Sequence, residues 1–236
     1  MSLSIFFPAY NDSGTIASMV VTAVLTAREI TDDFEIIVVN DCSGDGTEAI
    51  LEELKKVYPQ LKAIHHKKNR GYGGALKSGF SACSKDLIFY TDGDAQYDAR
   101  ELKVLYAKLK DDIDVVNGYK LSRSDPFYRA LIGRSYHTLA KLLFGLKIRD
   151  VDCDFRLMRR RIFDRVKLEM DSGVICVEMV KKIQDAGFKF AEAPVHHYYR
   201  SYGGSQFFKI FNIYRALKDL LRLWKKLVWS KKYGRG

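Results

Sequence analysis

Two aspartates one residue apart, Asp92 and Asp94, offer the clearest chemistry in the sequence. They directly follow the apolar, β-prone run at residues 87–91, as polar residues do at the carboxyl end of a buried strand. Open α/β sheets bind their ligands at such strand ends. Two close carboxylates repel each other unless a cation lies between them, and Mg²⁺ prefers one or two carboxylates together with phosphate oxygens. The pair therefore predicts a divalent metal carrying a diphosphate, although a plain Asp-Gly turn after a strand uses the same residue types.

The elements that would position this pair alternate between strand and helix. In chain order, the predicted strands and helices cover residues 4–7, 13–30, 34–39, 47–57, 62–65, 75–83 and 87–91. Short connections between them indicate βαβ units and hence an α/β, Rossmann-like, mostly parallel sheet flanked by helices. The loops at residues 8–12, at Asp41 and at residues 92–96 would line one crevice if strands one, two and four are neighbours. Such a crevice suits a nucleotide, because it offers an aromatic ring, a carboxylate for base or ribose, and a metal site for phosphates.

The second half of the chain has a looser pattern. Further helices and strands are predicted at residues 99–109, 114–117, 127–144, 155–158, 174–186 and 190–197. Gly187 follows the last of these helices as a C-cap residue does. Pro194 interrupts the final strand, which favours a place at the edge of the sheet.

Two other patterns carry weaker signals. The glycine-rich residues 69–74 lack the spacing of the dinucleotide fingerprint and the Gly-Lys-Ser/Thr of a P-loop, and a tight turn entering a helix explains them equally well. The pairs His65-His66 and His196-His197 do not have the i, i+4 spacing of helical zinc sites. We interpret His65 and His66 as structural.

Composition limits the class of protein. The chain has 236 residues, of which 47% are hydrophobic and 29% charged, as in a soluble globular protein. Its four cysteines have neither CxxC nor finger spacing, which argues against a zinc site or a disulfide framework and favours a reducing cytosolic setting. Residues 1–10 lack the features of a signal peptide, and no run of 18 apolar residues occurs.

Most of the formal net charge of +10 lies at the C-terminal end, where residues 196–236 contain ten Lys and Arg side chains against one acid, Asp219. Apolar residues recur there at steps of three and four, which predicts a long helix with an apolar stripe along one face. The stripe consists of Phe207, Phe211, Tyr214, Leu217, Leu221, Trp224 and Val228. It either packs on the body or a second subunit, or lies in the plane of a membrane interface with Lys and Arg near anionic lipid. We predict a domain at residues 1–205 and a basic amphipathic helix and tail at residues 206–236.

Five motifs, in this order, resemble those of the inverting nucleotide-sugar glycosyltransferases of the GT-A fold, family 2. They are PAYN at residues 8–11, VVNDCSGDGT at 38–47, NRGYG at 69–73, DGDAQ at 92–96 and HYYRSYGGS at 197–205. Within that family the chain looks most like the dolichyl- and polyprenyl-phosphate sugar transferases. The resemblance implies transfer of a sugar from a nucleotide-sugar donor to a polyprenyl phosphate, with Mg²⁺ or Mn²⁺, at a membrane surface. The cysteines and the basic tail add the expectation of a cytoplasmic enzyme in peripheral contact with an anionic membrane. The resemblance leaves room for a homo-oligomer or a membrane-protein partner.

Carried over position by position, the resemblance implies a role for single residues. The donor would be held by Pro8, Tyr10, Asp12, Val39, Asp41, Asp92, Gly93, Lys120, Arg200 and Gln206. Asp94 and Gln96 would bind the metal with the diphosphate. The implied catalytic residues are Asp92, Asp94, Arg134 and Arg200, with Arg134 meeting the acceptor phosphate and Arg200 the departing diphosphate or the acceptor phosphate.

Several positions depart from the pattern of the family. Asp12 replaces the usual Glu, Lys120 stands where relatives often have Arg, and Asp154 stands where many have Gly. Asn40 and Cys42 replace the more usual Asp and Gly, and Gln206 stands where some mannosyl transferases have Lys. These departures leave the donor sugar and the acceptor open.

The acceptor decides which chemistry is needed. A lipid monophosphate is already anionic near neutral pH and needs only cations to position it, which Lys120, Arg134 and Arg200 would supply. A sugar hydroxyl needs a general base, for which Asp152 and Asp154 are the candidates. The lack of an obvious His or Glu base favours the phosphate. A nucleic-acid-binding module would need base-stacking aromatics on a basic groove, and we expect no nucleic-acid partner.

Overall fold

A single seven-stranded sheet organises the computed structural model, which describes residues 1–121, 127–203 and 210–230, without the side chains of residues 127–134 and 210–213. The strands are β1 (Leu3–Ala9), β2 (Phe34–Asn40), β3 (Leu61–His65), β4 (Leu87–Thr91), β5 (Val115–Lys120), β6 (Phe155–Arg159) and β7 (Phe190–Val195). The helices are α1 (Ile16–Arg28), α2 (Thr47–Val57), α3 (Gly71–Ala82), α4 (Leu102–Lys108), α5 (Phe127–Phe144), α6 (Ile162–Arg165), α7 (Ile175–Asp185) and α8 (Ile210–Trp224). A 3₁₀ turn (Ala99–Glu101) precedes α4, and a π turn (Lys225–Trp229) continues α8.

The sheet is mostly parallel, which confirms the predicted fold class. Its order is β3-β2-β1-β4-β6-β5-β7, and only β6 runs antiparallel to its neighbours β4 and β5. Every residue of β1, β2 and β4 is buried, as expected of strands covered by helices on both faces. The edge position predicted for the last strand is confirmed, since β7 stands at the end of the strand order, next to β5.

The order in which strands are added to the sheet changes side at β1. From β1 the chain moves outward through β2 to β3, and it then crosses back to form β4 on the other side of β1. In open α/β sheets, the crevice at the carboxyl ends of two such strands is where ligands bind. The expectation that strands one, two and four are neighbours is confirmed, so their loops share one edge of the sheet.

Alternate side chains of the strands enter two hydrophobic clusters. On one face, Ile5 and Phe7 pack with residues of α1, α2 and α4. On the other face, Phe6 packs with residues of α3, α6 and α7. This alternation is the two-residue period of a strand, and it anchors both flanking layers to the same β1.

The helix that follows the glycine-rich stretch begins earlier than residue 75, the predicted start, and includes the glycines themselves. Helix α3 already begins at Gly71, whose φ is +75°. Gly73 donates its N–H to the Asp171 carbonyl at 2.9 Å, and a Cβ on Gly73 would lie 2.3 Å from the Met170 carbonyl oxygen. The glycine is needed because the first turn of α3 touches the backbone of a distant loop, a contact that no local pattern reveals.

Helix α8 and its π turn pack on the body through a face next to the predicted stripe. Ala216, Leu220, Leu223 and Leu227 are buried in one cluster with residues of α5 and α7. The centre of the predicted stripe is exposed instead, with Tyr214 at 65%, Leu217 at 43% and Leu221 at 60% of full accessibility. Trp224 and Val228 are partly buried against the cluster. Among the helices that are described, none combines the length and apolar character needed to cross a bilayer.

Candidate functional site

Three loops meet at the carboxyl ends of β1, β2 and β4, and each contains a strained residue. In the described part of the chain, Asn11, Cys42 and Ala95 are the non-glycine residues with positive φ, at 56°, 63° and 58°. L-residues adopt this conformation rarely and at a cost, and such residues concentrate at binding and active sites. The strain therefore marks the same edge of the sheet as the topological switch point.

The predicted acid pair lies in this crevice together with Asp12 and Arg200. The Arg200 guanidinium bridges two carboxylates: Nη2 donates to Asp12 Oδ1 at 3.1 Å, and Nη1 lies 3.4 Å from Asp94 Oδ2. Asp12 and Asp94 are both buried, at 4% and 7% exposure. The structure thus brings three predicted site residues together from opposite ends of the sequence.

Burial raises the pKa values of these acids, because it disfavours their charged forms. Desolvation raises the pKa of Asp12 to about 6, although the Tyr10 N–H and Arg200 oppose the shift. Desolvation also raises the pKa of Asp94, against the charge of Arg200. The pKa of Asp92 lies well above its usual range because of burial and then because of the neighbouring Asp154 and Asp94 carboxylates. A further cation would stabilise the charged forms of all three.

The donors around Asp94 suit a hard divalent cation. The Gln96 backbone N–H donates to Asp94 Oδ1 at 3.1 Å, which leaves Oδ2 facing the Arg200 guanidinium. Gln96 Nε2 donates to the Tyr198 carbonyl at 3.2 Å, so its Oε1 is not used by the described residues. Two oxygen donors plus diphosphate oxygens form the type of ligand set that Mg²⁺ and Mn²⁺ accept. The two residues predicted to bind metal therefore fit it.

On the other side of the crevice, His66 holds Asp41, so the structural role predicted for this histidine is one within the candidate site. His66 Nδ1 lies 2.6 Å from Asp41 Oδ1, and its Nε2 lies 2.9 Å from Ser78 Oγ. The Arg70 N–H donates to the same oxygen at 2.8 Å. Both side chains of the His66–Asp41 pair are nearly buried, at 6% and 5% exposure. His66 thus orients Asp41, one of the residues predicted to hold the nucleoside. The sequence indicated this contact only through the position of His66 at the end of β3, the strand that pairs with β2.

An open cleft of about 420 Å³ lies between these loops and the segment that contains Arg200. It is lined by Tyr10, Asn11, Gly44, Asp45, Arg200, Tyr202 and Gly203. The predicted residue Tyr10 is 37% exposed, whereas Val39 is fully buried in the core. Pro8 and Gly93 meet through their backbones, because the Gly93 N–H donates to the Pro8 carbonyl at 3.2 Å. Among the predicted nucleoside residues, Tyr10 therefore offers a free surface, and Pro8 and Val39 support the loops.

Asp154 lies beside Asp92, an arrangement that follows from the antiparallel pairing of β4 with β6. Thr91 pairs with Phe155, so the next residue outward on each strand is an aspartate. Asp154 Oδ1 contacts three donors: Cys176 Sγ at 3.1 Å, Tyr90 Oη at 3.2 Å and Arg156 Nη1 at 3.3 Å. On the other side, the Tyr72 hydroxyl donates to Asp92 Oδ1 at 2.8 Å.

The remaining predicted residues lie nearer to α5. Lys120 Nζ donates to the Asp152 carbonyl at 2.7 Å and lies 3.7 Å from Asp150 Oδ2. Asp150, Asp152 and His137 bring ligand atoms within 4.8 Å of one another, a second group able to hold a metal or move a proton. His137 was missed because a lone histidine in a helix has no local signature. Arg134 belongs to α5, one turn before His137, but its side chain and the whole of Gln206 lie outside the described residues.

Comparison with known proteins shows the family to which the chain belongs. A model of the family described as "Glycosyl transferase family 2" matches residues 4–167. The chain is 28% identical over 236 residues to glycosyltransferase AglD of Haloferax volcanii, covering 96% of this chain and 38% of that protein. It is also 28% identical over 218 residues to an undecaprenyl-phosphate 4-deoxy-4-formamido-L-arabinose transferase of Enterobacter, covering 89% of this chain and 64% of that protein. The chain thus spans less than two thirds of either relative.

Solved structures share the fold. A crystal structure of glucosyl-3-phosphoglycerate synthase from Mycobacterium tuberculosis, in complex with Mn²⁺ and UDP-glucose, superposes with a TM-score of 0.71 over 95% of this chain and 78% of that one. The same enzyme has been crystallised with Mg²⁺ and UDP, at a TM-score of 0.69. Sequence identity to these structures is 15% and 14%, so the likeness concerns the fold.

Proposed function

Because this chain belongs to glycosyl transferase family 2, we propose that it transfers a sugar, with inversion, from a nucleotide-sugar donor to a polyprenyl phosphate. One observation carries the proposal: the Arg200 guanidinium bridges Asp94 and Asp12 at the switch point of the sheet. The nucleoside diphosphate leaves with negative charge and needs cations at this position. The site combines an Arg held by two carboxylates with a carboxylate suited to Mg²⁺ or Mn²⁺. The name of the Enterobacter relative, an undecaprenyl-phosphate sugar transferase, supports the choice of acceptor.

Each side of the crevice has its own task in this proposal. Asp41, oriented by His66, accepts hydrogen bonds from the nucleoside, while Tyr10 provides a ring surface at the cleft. Asp94 and Gln96 hold the metal, which neutralises charge on the diphosphate when bound. Arg200 exchanges a carboxylate partner for phosphate oxygens, so its positive charge acts where negative charge develops as the bond to the sugar breaks.

A lipid monophosphate requires no base, only positive charge to hold it. Lys120 stands at the end of β5 with its side chain 9% exposed, held against the Asp150–Asp152 loop. Arg200 is available from the other side of the crevice, and Arg134 on α5 stays a predicted acceptor contact. The attacking phosphate oxygen carries its own negative charge, so catalysis would consist mainly of positioning and charge stabilisation.

A second function is favoured by the His137–Asp150–Asp152 group. A histidine beside two carboxylates can take a proton from a hydroxyl, which would suit transfer to a sugar or another alcohol. The two functions predict different results for His137→Ala. Transfer to a polyprenyl phosphate would survive this change, whereas transfer to a hydroxyl would fall by roughly 10²-fold or more.

The deciding experiment is a binding panel followed by a transfer assay. Thermal shift of the protein with UDP, GDP and their sugars, with and without Mn²⁺, identifies the donor. The best donor, radiolabelled in its sugar, is then incubated with undecaprenyl phosphate, with free sugars, or with buffer. Label in the lipid phase supports the proposal, and label in a soluble product supports the second function. No metal-dependent binding of any nucleotide sugar would refute both.

We also propose that α8 brings the enzyme into peripheral contact with an anionic membrane, at its cytoplasmic face. Its exposed residues Tyr214, Leu217 and Leu221 offer an apolar surface next to the basic side chains of the same helix. Each Lys or Arg near anionic lipid adds about 1 kcal/mol to binding. Deleting the whole helix would be a poor test, because it would also uncover the cluster that contains Leu220 and Leu223.

Substitutions on the exposed face test this contact without opening the core. We expect the double change Leu217→Glu with Leu221→Glu to reduce co-sedimentation with anionic vesicles, and high salt to reduce that of the wild type. The matched control is Leu25→Glu on α1, an equally exposed leucine at 56% accessibility. Equal sedimentation of the double variant and the control would refute the membrane contact.

A further inference from the structure

Next to the acid pair of the crevice lies a carboxylate to which the proposed mechanism gives no role. Asp154 immediately precedes β6 and lies next to Asp92, which immediately follows β4. Residues opposite each other on antiparallel strands have Cα atoms only about 4.5–5.5 Å apart. Asp92 in turn is two residues from the metal ligand Asp94. Any group attached to a diphosphate held at Asp94 therefore comes within about one sugar ring of Asp154.

The side chain of Asp154 is held in place through only one of its two carboxylate oxygens. All three of its protein donors, from Tyr90, Arg156 and Cys176, contact Oδ1. Its Oδ2 has no hydrogen bond to the described residues, and the side chain keeps 17% of its accessibility. A partly exposed carboxylate that is held through one oxygen, while the other oxygen has no partner among the described residues, has the arrangement of a recognition group.

The residue behind Asp154 explains how a charge can be kept there. Arg156 is fully buried and is held independently of Asp154: Nε donates to Asn117 Oδ1 at 2.5 Å, and the two Nη groups donate to the Tyr90 hydroxyl and the Val151 carbonyl. This buried cation balances the Asp154 charge from behind. On the side of Asp92, the neighbour of Asp154 is another acid.

We propose that Asp154 is a specificity-determining residue for the donor sugar: its open oxygen, beside Asp92, accepts hydrogen bonds from hydroxyl or amino groups of the sugar and rejects sugars that carry a carboxylate. The inference rests on the proposed function, because it requires a nucleotide sugar whose diphosphate is bound at Asp94. Neutral hexoses and amino sugars offer donors to the two aspartates. A uronic acid places a further carboxylate beside the partly buried Asp154 carboxylate, and like charges at this range are strongly unfavourable.

Matched donors that differ only at one carboxylate test the proposal. Whichever nucleoside diphosphate binds the wild type with Mn²⁺ selects the pair, UDP-glucose and UDP-glucuronate or GDP-mannose and GDP-mannuronate. Dissociation constants are measured by titration calorimetry for the free diphosphate, the neutral sugar and the uronate. We expect the wild type to bind the uronate at least about tenfold more weakly than the neutral sugar, since one like charge at close range costs a factor of this order.

The variant Asp154→Asn keeps the shape and an acceptor oxygen for Tyr90, Arg156 and Cys176, so it should fold. We expect it to reduce the preference for the neutral sugar about tenfold, while the affinity for the free diphosphate stays unchanged. Asp154→Ser serves as a second variant with the same expected direction. Two controls should keep the wild-type preference: Cys176→Ala, which leaves the carboxylate in place, and Asp171→Asn, which removes an exposed acid that pairs with Lys77.

The possible outcomes separate the two claims. If neither UDP nor GDP binds with Mn²⁺, the proposed function fails and takes this inference with it. If a diphosphate binds but the wild type accepts the uronate as well as the neutral sugar, only the role of Asp154 is refuted. The same holds if the Asn and Ser variants keep the wild-type preference, or if they weaken the free diphosphate as much as the sugars.

Discussion

Replacing Asp94 with Asn tests the metal assignment with the smallest possible change of shape. The Gln96 N–H can still donate to the oxygen of the new side chain, so the turn after β4 is preserved. The variant loses the 3.4 Å ion pair of Asp94 with Arg200, but Arg200 keeps Asp12 as its partner at 3.1 Å, so no buried charge is left unpaired. Burial acts in the opposite direction, because the raised pKa of Asp94 means that the fold disfavours its charge. We therefore expect the free energy of unfolding without ligand to stay within about 1 kcal/mol of the wild type.

The ligand-bound state should show a much larger difference. A ligand at one hundred times its dissociation constant stabilises the folded state by about 2.7 kcal/mol. For a chain of this length, each kcal/mol raises Tm by roughly 2–4 °C, so the wild type should gain about 5–11 °C from Mn²⁺ and the donor diphosphate. Asp94→Asn should lose the part of this gain that depends on Mn²⁺, and with it sugar transfer.

The assay is a thermal unfolding scan in four conditions: no ligand, Mn²⁺ alone, diphosphate alone, and both. Asp98→Asn is the matched control, since Asp98 lies in the same loop and caps the following 3₁₀ turn through the Arg100 N–H, which Asn does equally well. Asn loses the ion pair of Asp98 with the exposed Arg100 guanidinium, and such a surface pair contributes little to stability. A well-folded Asp94→Asn protein that keeps the Mn²⁺-dependent shift, or transfers sugar at the wild-type rate, would refute the metal assignment.

Three further predictions address the neighbouring groups. Arg200→Ala should lower kcat by roughly 10²-fold or more while changing diphosphate affinity much less, because its charge matters most as the diphosphate departs; a normal kcat with only a raised donor KM would contradict this. The pKa of Asp12 is raised to about 6, so the wild type without ligand loses stability as pH rises from about 4 through 6 and this group becomes charged. Asp12→Asn lacks this loss. Between pH 4 and pH 7 the free energy of unfolding of the variant relative to the wild type, measured in denaturant, should therefore increase by up to about 3 kcal/mol. A pH-independent difference would show that Asp12 is not desolvated. Gly73→Ala should destabilise the fold by roughly 3 kcal/mol, since its Cβ would collide with the Met170 carbonyl, whereas Gly44→Ala, where a Cβ meets nothing within 4 Å, should change the unfolding midpoint little.

Local patterns were sufficient for the strands and for the residues that end them. The fully buried runs of β1, β2 and β4 are apolar because both faces of a parallel sheet are covered, and this requirement is visible in the sequence itself. Asp92 and Asp94 could be found for the same reason, since charges at the end of such a run need a ligand or solvent. The edge place of β7 followed from Pro194, which lacks the N–H that an inner strand needs.

The partners of these residues depended on the order of the strands, which is a tertiary property. His66 orients Asp41 because β3 pairs with β2, and Asp154 faces Asp92 because β6 runs antiparallel to β4. Gly73 is required by the backbone of a loop almost a hundred residues away. Periodicity also predicted an apolar helix at the C-terminus, but it did not distinguish the side that packs at Leu220 from the side that is exposed at Leu221, since both are leucines. A sequence determines which residues favour a strand, a turn or a buried position; which two of them meet is decided by the packing of the whole chain, because contacts between distant residues form only when the sheet brings their strands together.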